Sequence, residues 1–197
     1  MAQILQSLYK TLFAGLVLLI IVLVITTSIT GNPIQFSHVW STFVVRWLHV
    51  VSGVMWIGLL WYFNFVQIPS MPSIPDEQKP AISKVIAPAA LFWFRYAALA
   101  TVVTGLLVAW MQGYIVQALT LQTGVVAIGL GMWIALVMAF NVWFIIWPNQ
   151  KKALGIVVVE APEKAKAARL AMLTSRINTM LSITMLYMMV AQQNAAL

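Results

Sequence analysis

No cysteine occurs among the 197 residues. That excludes disulfides, thiolate metal sites, iron–sulfur clusters and covalent c-type haem attachment together. Acids are almost as scarce, with four aspartates and glutamates against eleven lysines and arginines. Charged residues make up only 8% of the chain and hydrophobic ones 62%, a balance from which no soluble surface can be built. There is no nucleophile–histidine–acid set, no phosphate loop and no carboxylate pair, so nothing points to soluble catalysis.

What is abundant is apolar sequence of spanning length. A membrane helix needs about 20 such residues, and five runs qualify: Leu12 to Thr30, Phe43 to Phe65, Ala89 to Met111, Gly124 to Trp147 and Ala171 to Ala191. The runs are continuous, whereas barrel strands alternate, so all five are expected to be helices. The expectation is an all-α, polytopic membrane helix bundle forming one integral domain over 1–197, with helices at about 12–30, 43–65, 89–111, 124–147 and 163–191. The first run is too long for a secretory signal and no small-x-small cleavage site follows it; Gly31-Asn32-Pro33 reads as a helix exit. Pro162 suits the first turn of the last helix. The three prolines between Gln67 and Asp76 predict a turn, and Asp76 to Ala87 a short interfacial helix.

Outside the five runs, basic residues are confined to alternate loops. Lys10 precedes the first run, Lys79 and Lys84 follow the second, and Lys151, Lys152, Lys164, Lys166 and Arg169 follow the fourth. The stretches Gly31 to Thr42 and Gln112 to Thr123 carry no charge. The positive-inside rule then places the N-terminus in the cytoplasm and the C-terminus outside. The net charge of +7 is accounted for by topology and by anionic lipid heads as partners, with no call for a nucleic acid.

Two stripes of small residues at four-residue spacing, Ala97-Thr101-Gly105-Ala109 and Ala127-Gly131-Ala135-Ala139, predict a tight antiparallel pair of the third and fourth helices. Trp40, Trp47, Trp110 and Trp147 lie near run ends and fit an aromatic belt, while Trp56 and Trp133 lie too deep for one.

Titratable groups at membrane depth are costly and point to function. Arg46 and His49 stand three residues apart, hence on one helix face, which Gly53 and Trp56 continue inward. No aspartate or glutamate lies in any of the five runs. Arg46, Arg95 and Arg176 therefore require an anion from elsewhere: lipid phosphate, an anionic ligand or cofactor, or a partner subunit's carboxylate. At the inner level, Asn64, Arg95, Asn141, Arg176 and Asn178 form a candidate polar layer. Such a layer serves either as interhelical hydrogen bonds or as a pocket for an anionic or quinone-like molecule. His49 has two readings as well. It hydrogen-bonds a neighbouring carbonyl or hydroxyl, or it ligates the iron of haem b with Arg46 pairing a propionate. No second histidine lies in a run, and His38 sits in the outer loop. A second ligand would have to come from methionines such as Met55, Met111, Met132, Met138, Met185, Met188 or Met189.

The stretches Arg46-Trp-Leu-His-Val-Val-Ser-Gly-Val-Met-Trp-Ile-Gly58 and Asn141-Val-Trp-Phe-Ile-Ile-Trp-Pro-Asn-Gln-Lys-Lys152 resemble the N-terminal membrane domain of the bacterial membrane-bound urate oxidases, or urate hydroxylases. Phe94-Arg-Tyr-Ala-Ala, Val103-Thr-Gly-Leu-Leu and Ser175 to Asn178 agree more loosely, so that the resemblance covers about the last four helices. It implies a multi-pass redox protein of the bacterial inner membrane that oxidises urate and passes electrons to an external c-type cytochrome. In the family that cytochrome is usually a fused domain; this sequence has no Cys-x-x-Cys-His, so the resemblance implies a separate acceptor. Arg46, His49, Asn141, Asn149 and Gln150 are retained. Ile177 stands where the family has a histidine, and Gln192 or Gln193 replaces its closing Asn-His pair. Three roles are open: a urate oxidase-like redox subunit, a non-catalytic accessory subunit of a larger membrane complex, and, ranked last for want of broken helices, a small-anion transporter.

Overall fold

A computed structural model describes residues 2–194, and among them every regular element is a helix. The chain divides into two compact units, Met1–Ser41 and Thr42–Leu197. In the first, a short helix α1 (Ala2–Leu5) precedes α2 (Leu8–Thr30). Ser7 enters α2 in an extended conformation, and Gly31 closes it at φ +66°, a left-handed angle that glycine adopts without steric cost. The hydroxyls of Thr27, Ser28 and Thr30 donate to carbonyls one turn back, which satisfies them without a solvent partner.

The second unit is built from α3 (His38–Ser73) from Thr42 onward, α4 (Lys79–Met111), α5 (Ile115–Leu119), α6 (Val126–Ala153) and α7 (Ala161–Ala191). Three of these helices continue through a proline. Each widens into a π-helical stretch two residues before a proline: Tyr62–Gln67 before Pro69, Ile82–Ile86 before Pro88, and Asn141–Ile146 before Pro148. A proline ring clashes with the carbonyl four residues back and offers no N–H to it. Those carbonyls belong to Phe65, Lys84 and Phe144, inside the widened stretches, so the π turn absorbs the clash and the helix goes on. The proline-rich segment is thus helical to Ser73, and the expected interfacial helix at 76–87 is turn up to Gln78 and the start of α4 from Lys79. Glu160 precedes α7 in an extended conformation with Pro162 in the first turn, as the sequence predicts.

Among the described residues, α2, α3, α4 and α6 are long and apolar enough to cross a membrane, which gives the chain the character of a multi-pass membrane protein. The 31-residue α7 carries Thr174, Ser175, Arg176, Asn178, Thr179 and Ser182 in its middle. Most of that polarity is turned inward: Ala167, Ala171, Thr174, Ser175, Asn178, Ser182 and Met185 are its buried face, at helical spacing.

The small-residue stripes serve different neighbours. Helix α6 packs most closely on α7, where a Cβ on Gly131 would come within 3.3 Å of Met188 and Met189. Two members of the α4 stripe also meet α3: a Cβ on Gly53 would lie 3.8 Å from the Thr101 methyl, and one on Gly105 would meet the His49 ring. The expected pairing of the third and fourth helices is present, since α4 packs on α6, but α6 packs more closely on α7. Between these helices lies a core of Trp56, Leu60, Phe94, Met138 and Val142, with Phe63 edge-on to Phe94 at 5.7 Å. The short α5 is clamped onto α6: Trp133 Nε1 donates to the Leu119 carbonyl at 3.0 Å, and Gly129 leaves room for the Ala118 backbone.

Candidate functional site: a cavity beside His49 and a polar layer

Arg46, His49, Gly53 and Trp56 follow one another at three- and four-residue steps, so α3 presents them as a single stripe. Opposite the stripe, α4 offers Thr101, Thr104 and Gly105. His49 Nδ1 lies 2.9 Å from the Thr101 carbonyl and 3.3 Å from the Thr104 hydroxyl oxygen. A carbonyl only accepts, so Nδ1 carries the proton and the neutral ring keeps its lone pair on Nε2. Two features of α4 make this bond. The Thr104 hydroxyl turns back onto the carbonyls of Ala100 and Thr101, and Gly105 has no Cβ. An added Cβ there would meet His49 Cε1 at 2.8 Å, too close for the ring to stay.

The stripe lines a half-open cavity of about 820 Å³ between α3, α4, α6 and α7. Its wall is mainly apolar, with Met132, Met185 and Met189 on the side formed by α6 and α7, and Arg46, Gln112, Tyr114 and Gln193 among its polar lining. Such a body with a few convergent polar groups is the usual make-up of a small-molecule site. Arg46 is half-buried and forms no ion pair among the described residues, where the pairs are Lys79–Asp76 and Lys152–Glu163. Trp56 is fully buried and its Nε1 has no hydrogen-bond partner, although the indole borders the cavity. Burial raises the Tyr114 hydroxyl above the ordinary phenol value, and the Arg46 guanidinium offsets part of that rise. Tyr114 is thus a neutral phenol at physiological pH, and the Arg46 charge is not cancelled by it.

The residues of the polar layer separate into two groups. Asn141 Nδ2 donates to Asn178 Oδ1 at 2.8 Å and Asn178 Nδ2 to the Met138 carbonyl at 2.9 Å, tying α6 to α7. Asn64 donates to the Leu60 carbonyl and to Ser175 Oγ at 2.8 Å, tying α3 to α7. Arg95 joins neither: its guanidinium lies 3.4 Å from the centre of the Trp147 ring. Arg176 is on the exposed side of α7, outside the layer. So is Ile177, at 48% exposure and outside the cavity lining. Gln192 spans Gly124 and Ile128 and fastens the end of α7 to the start of α6, and both it and Gln193 border the cavity. Asn149 bonds the Ile145 carbonyl within its own helix.

Thr101, Thr104, Gly105, Gln112 and Tyr114 were not singled out by sequence as site residues. A usable signal existed in depth: His49 lies eleven residues from the start of α3 and Thr101 ten from the end of α4, about 16 and 15 Å at 1.5 Å per residue. Two hydroxyls and a glycine at the depth of a lone histidine mark its seat.

Among the described residues, no three histidine, cysteine or acidic side chains gather to hold a bare metal ion. No protein-family model matches the chain, and no curated protein and no solved structure matches it either.

Proposed function

We propose that this chain is an integral membrane redox subunit that holds haem b in the cavity beside His49 and passes electrons to a separate c-type cytochrome on the outer side. The observation that carries the proposal is the orientation of His49. With Nδ1 donating to the Thr101 carbonyl, Nε2 is the free donor atom of a ring that borders an 820 Å³ cavity. Metal-bound histidines are oriented by this kind of bond through their other nitrogen.

The remaining residues fit the group. Gly105 leaves the imidazole its place, and the cavity's three methionines supply the class of second ligand that haem iron accepts alongside histidine. Arg46, one turn from His49 on the same stripe and without an acid of its own, suits a propionate. When bound, haem supplies one-electron chemistry. The protein's part is to orient the ligand nitrogen, neutralise an anion at Arg46 and keep bulk water from the apolar wall.

The resemblance to the urate oxidase membrane domain supports the redox assignment, and urate is the substrate it suggests. The charge pattern supports five spans, with α7 as the fifth, its polar face covered by α3 and α6, the N-terminus cytoplasmic and the setting a bacterial inner membrane. An oxidised-minus-reduced optical spectrum of the purified chain, repeated on His49→Ala and after adding urate, tests the proposal. A haem signal lost in the variant is the expected outcome.

A second reading, a non-catalytic accessory subunit of a larger membrane complex, draws on α2, a 23-residue helix of almost wholly apolar side chains that suits lipid or other subunits' helices. Co-purification in a larger assembly with a featureless spectrum favours it.

A further inference from the structure

Arg95 is nine-tenths buried, at 8% exposure, and its Nη1 is sealed without a hydrogen-bond partner. No acid pairs with it among the described residues, whose carboxylate partners go to Lys79 and Lys152. What it meets is the face of Trp147, 3.4 Å from the guanidinium carbon to the ring centre. A second cation shares that indole, Lys151 Nζ lying 5.6 Å from the same centre. Whatever their directions, the two cationic centres are therefore no more than about 9 Å apart, the sum of the two distances.

An indole face attracts a cation through its quadrupole. It cancels no charge, however, and accepts no ordinary hydrogen bond, so two cations gathered on one ring remain short of an anion. A tetrahedral phosphate supplies what is missing. Its oxygens point in several directions and accept charge-assisted hydrogen bonds of about 2.8 Å from a guanidinium and an ammonium at once, whereas a planar carboxylate matches one guanidinium. The position agrees. Trp147 lies six residues from the end of α6 at Ala153, about 9 Å at 1.5 Å per residue, and Lys151 and Lys152 occupy the last turn. Arginine, lysine and tryptophan together at a helix end suit the phosphate level of a bilayer.

We propose that Arg95 and Lys151, gathered on the Trp147 indole, form a phosphate-binding site, filled by the headgroup of an anionic phospholipid or by free phosphate. The site is distinct from the cavity beside His49, whose lining includes none of these three residues.

The test is native mass spectrometry of the full chain in detergent, with phosphatidylglycerol, phosphatidylcholine and inorganic phosphate added separately. Lys151→Gln is the variant of choice, since Lys151 is only half-buried. Lys152→Gln is the control: Lys152 sits in the same turn but pairs with Glu163 at 2.6 Å. Expected is phosphatidylglycerol occupancy that falls about tenfold in Lys151→Gln, the effect of losing one charge-assisted hydrogen bond, and stays at the wild-type level in Lys152→Gln. Lys151-dependent binding of inorganic phosphate without that of phosphatidylglycerol also supports the site and names the soluble source. Equal occupancy in the two variants, for both probes, overturns the proposal.

Discussion

His49 on α3 donates through Nδ1 to the carbonyl of Thr101 on α4 at 2.9 Å, and that bond leaves Nε2 as the nitrogen free to act as a ligand. The acceptor is backbone, so no substitution at position 101 removes it directly. The space beside it is another matter. Gly105→Ala puts a Cβ 2.8 Å from Cε1 and must displace the ring. We expect a loss of about 1–3 kcal/mol in unfolding experiments in detergent, the usual range for overpacking and a broken buried hydrogen bond. Gly53→Ala, whose Cβ would meet the Thr101 methyl at an ordinary 3.8 Å, is the matched control and is expected to leave the midpoint unchanged.

Trp56 supplies an opposite case. Its Nε1 is buried and unpartnered, and such a donor costs about 1–3 kcal/mol when left unsatisfied. Trp56→Phe is expected to leave the ligand-free protein as stable as wild type or more so, while weakening whatever binds in the cavity with an acceptor toward the indole. Thermal unfolding with and without bound ligand separates the two effects. A ligand-free variant destabilised as strongly as a core deletion contradicts this assignment.

The asparagine pair lends itself to a double-mutant cycle. Asn178 has no exposed surface and bridges Asn141 and the Met138 carbonyl. Asn178→Ala is expected to cost about 1–3 kcal/mol through the unsatisfied groups it leaves. The coupling to Asn141→Ala should fall near 0.6 and below about 1.7 kcal/mol, the range for polar contacts between membrane helices. A coupling of zero refutes the bond.

These two asparagines were legible in the sequence because amides at one depth on two helices have few other partners. Arg95 stood at the same depth, yet its neighbour proved to be Trp147, an aromatic assigned by position to the belt. The Arg46–His49–Trp56 stripe followed from helical spacing alone. Its counterpart on α4 did not, since Ala97, Thr101, Gly105 and Ala109 read alike whether they receive a backbone or an imidazole; only the approach of α3 decides. The prolines between Gln67 and Asp76 do mark a turn, at 74–78, but not its start: the π turn just before Pro69 removes the clash there, and the helix runs on to Ser73.

The Tyr114 end of the cavity carries a pH prediction. Burial raises the Tyr114 hydroxyl in the folded chain above its ordinary value of 10.0, with Arg46 opposing. The folded state then holds the proton more tightly than the unfolded one, so this contribution to stability is complete below pH 10 and is lost as pH climbs through the raised folded value. Tyr114→Phe removes the dependence. Denaturant midpoints measured from neutral pH to above pH 10 should fall less steeply for the variant than for wild type, and parallel curves would count against the burial of this phenol.

The most direct test of the central claim is the oxidised-minus-reduced optical difference spectrum of the full chain purified after expression with haem supplied, alongside His49→Ala and Arg46→Gln. The account predicts a b-type haem signal in wild type, its loss in His49→Ala, and a retained but weakened or shifted signal in Arg46→Gln, where the iron ligand stays and the anion's partner goes. A featureless wild-type spectrum, or a signal unchanged by removing His49, contradicts it.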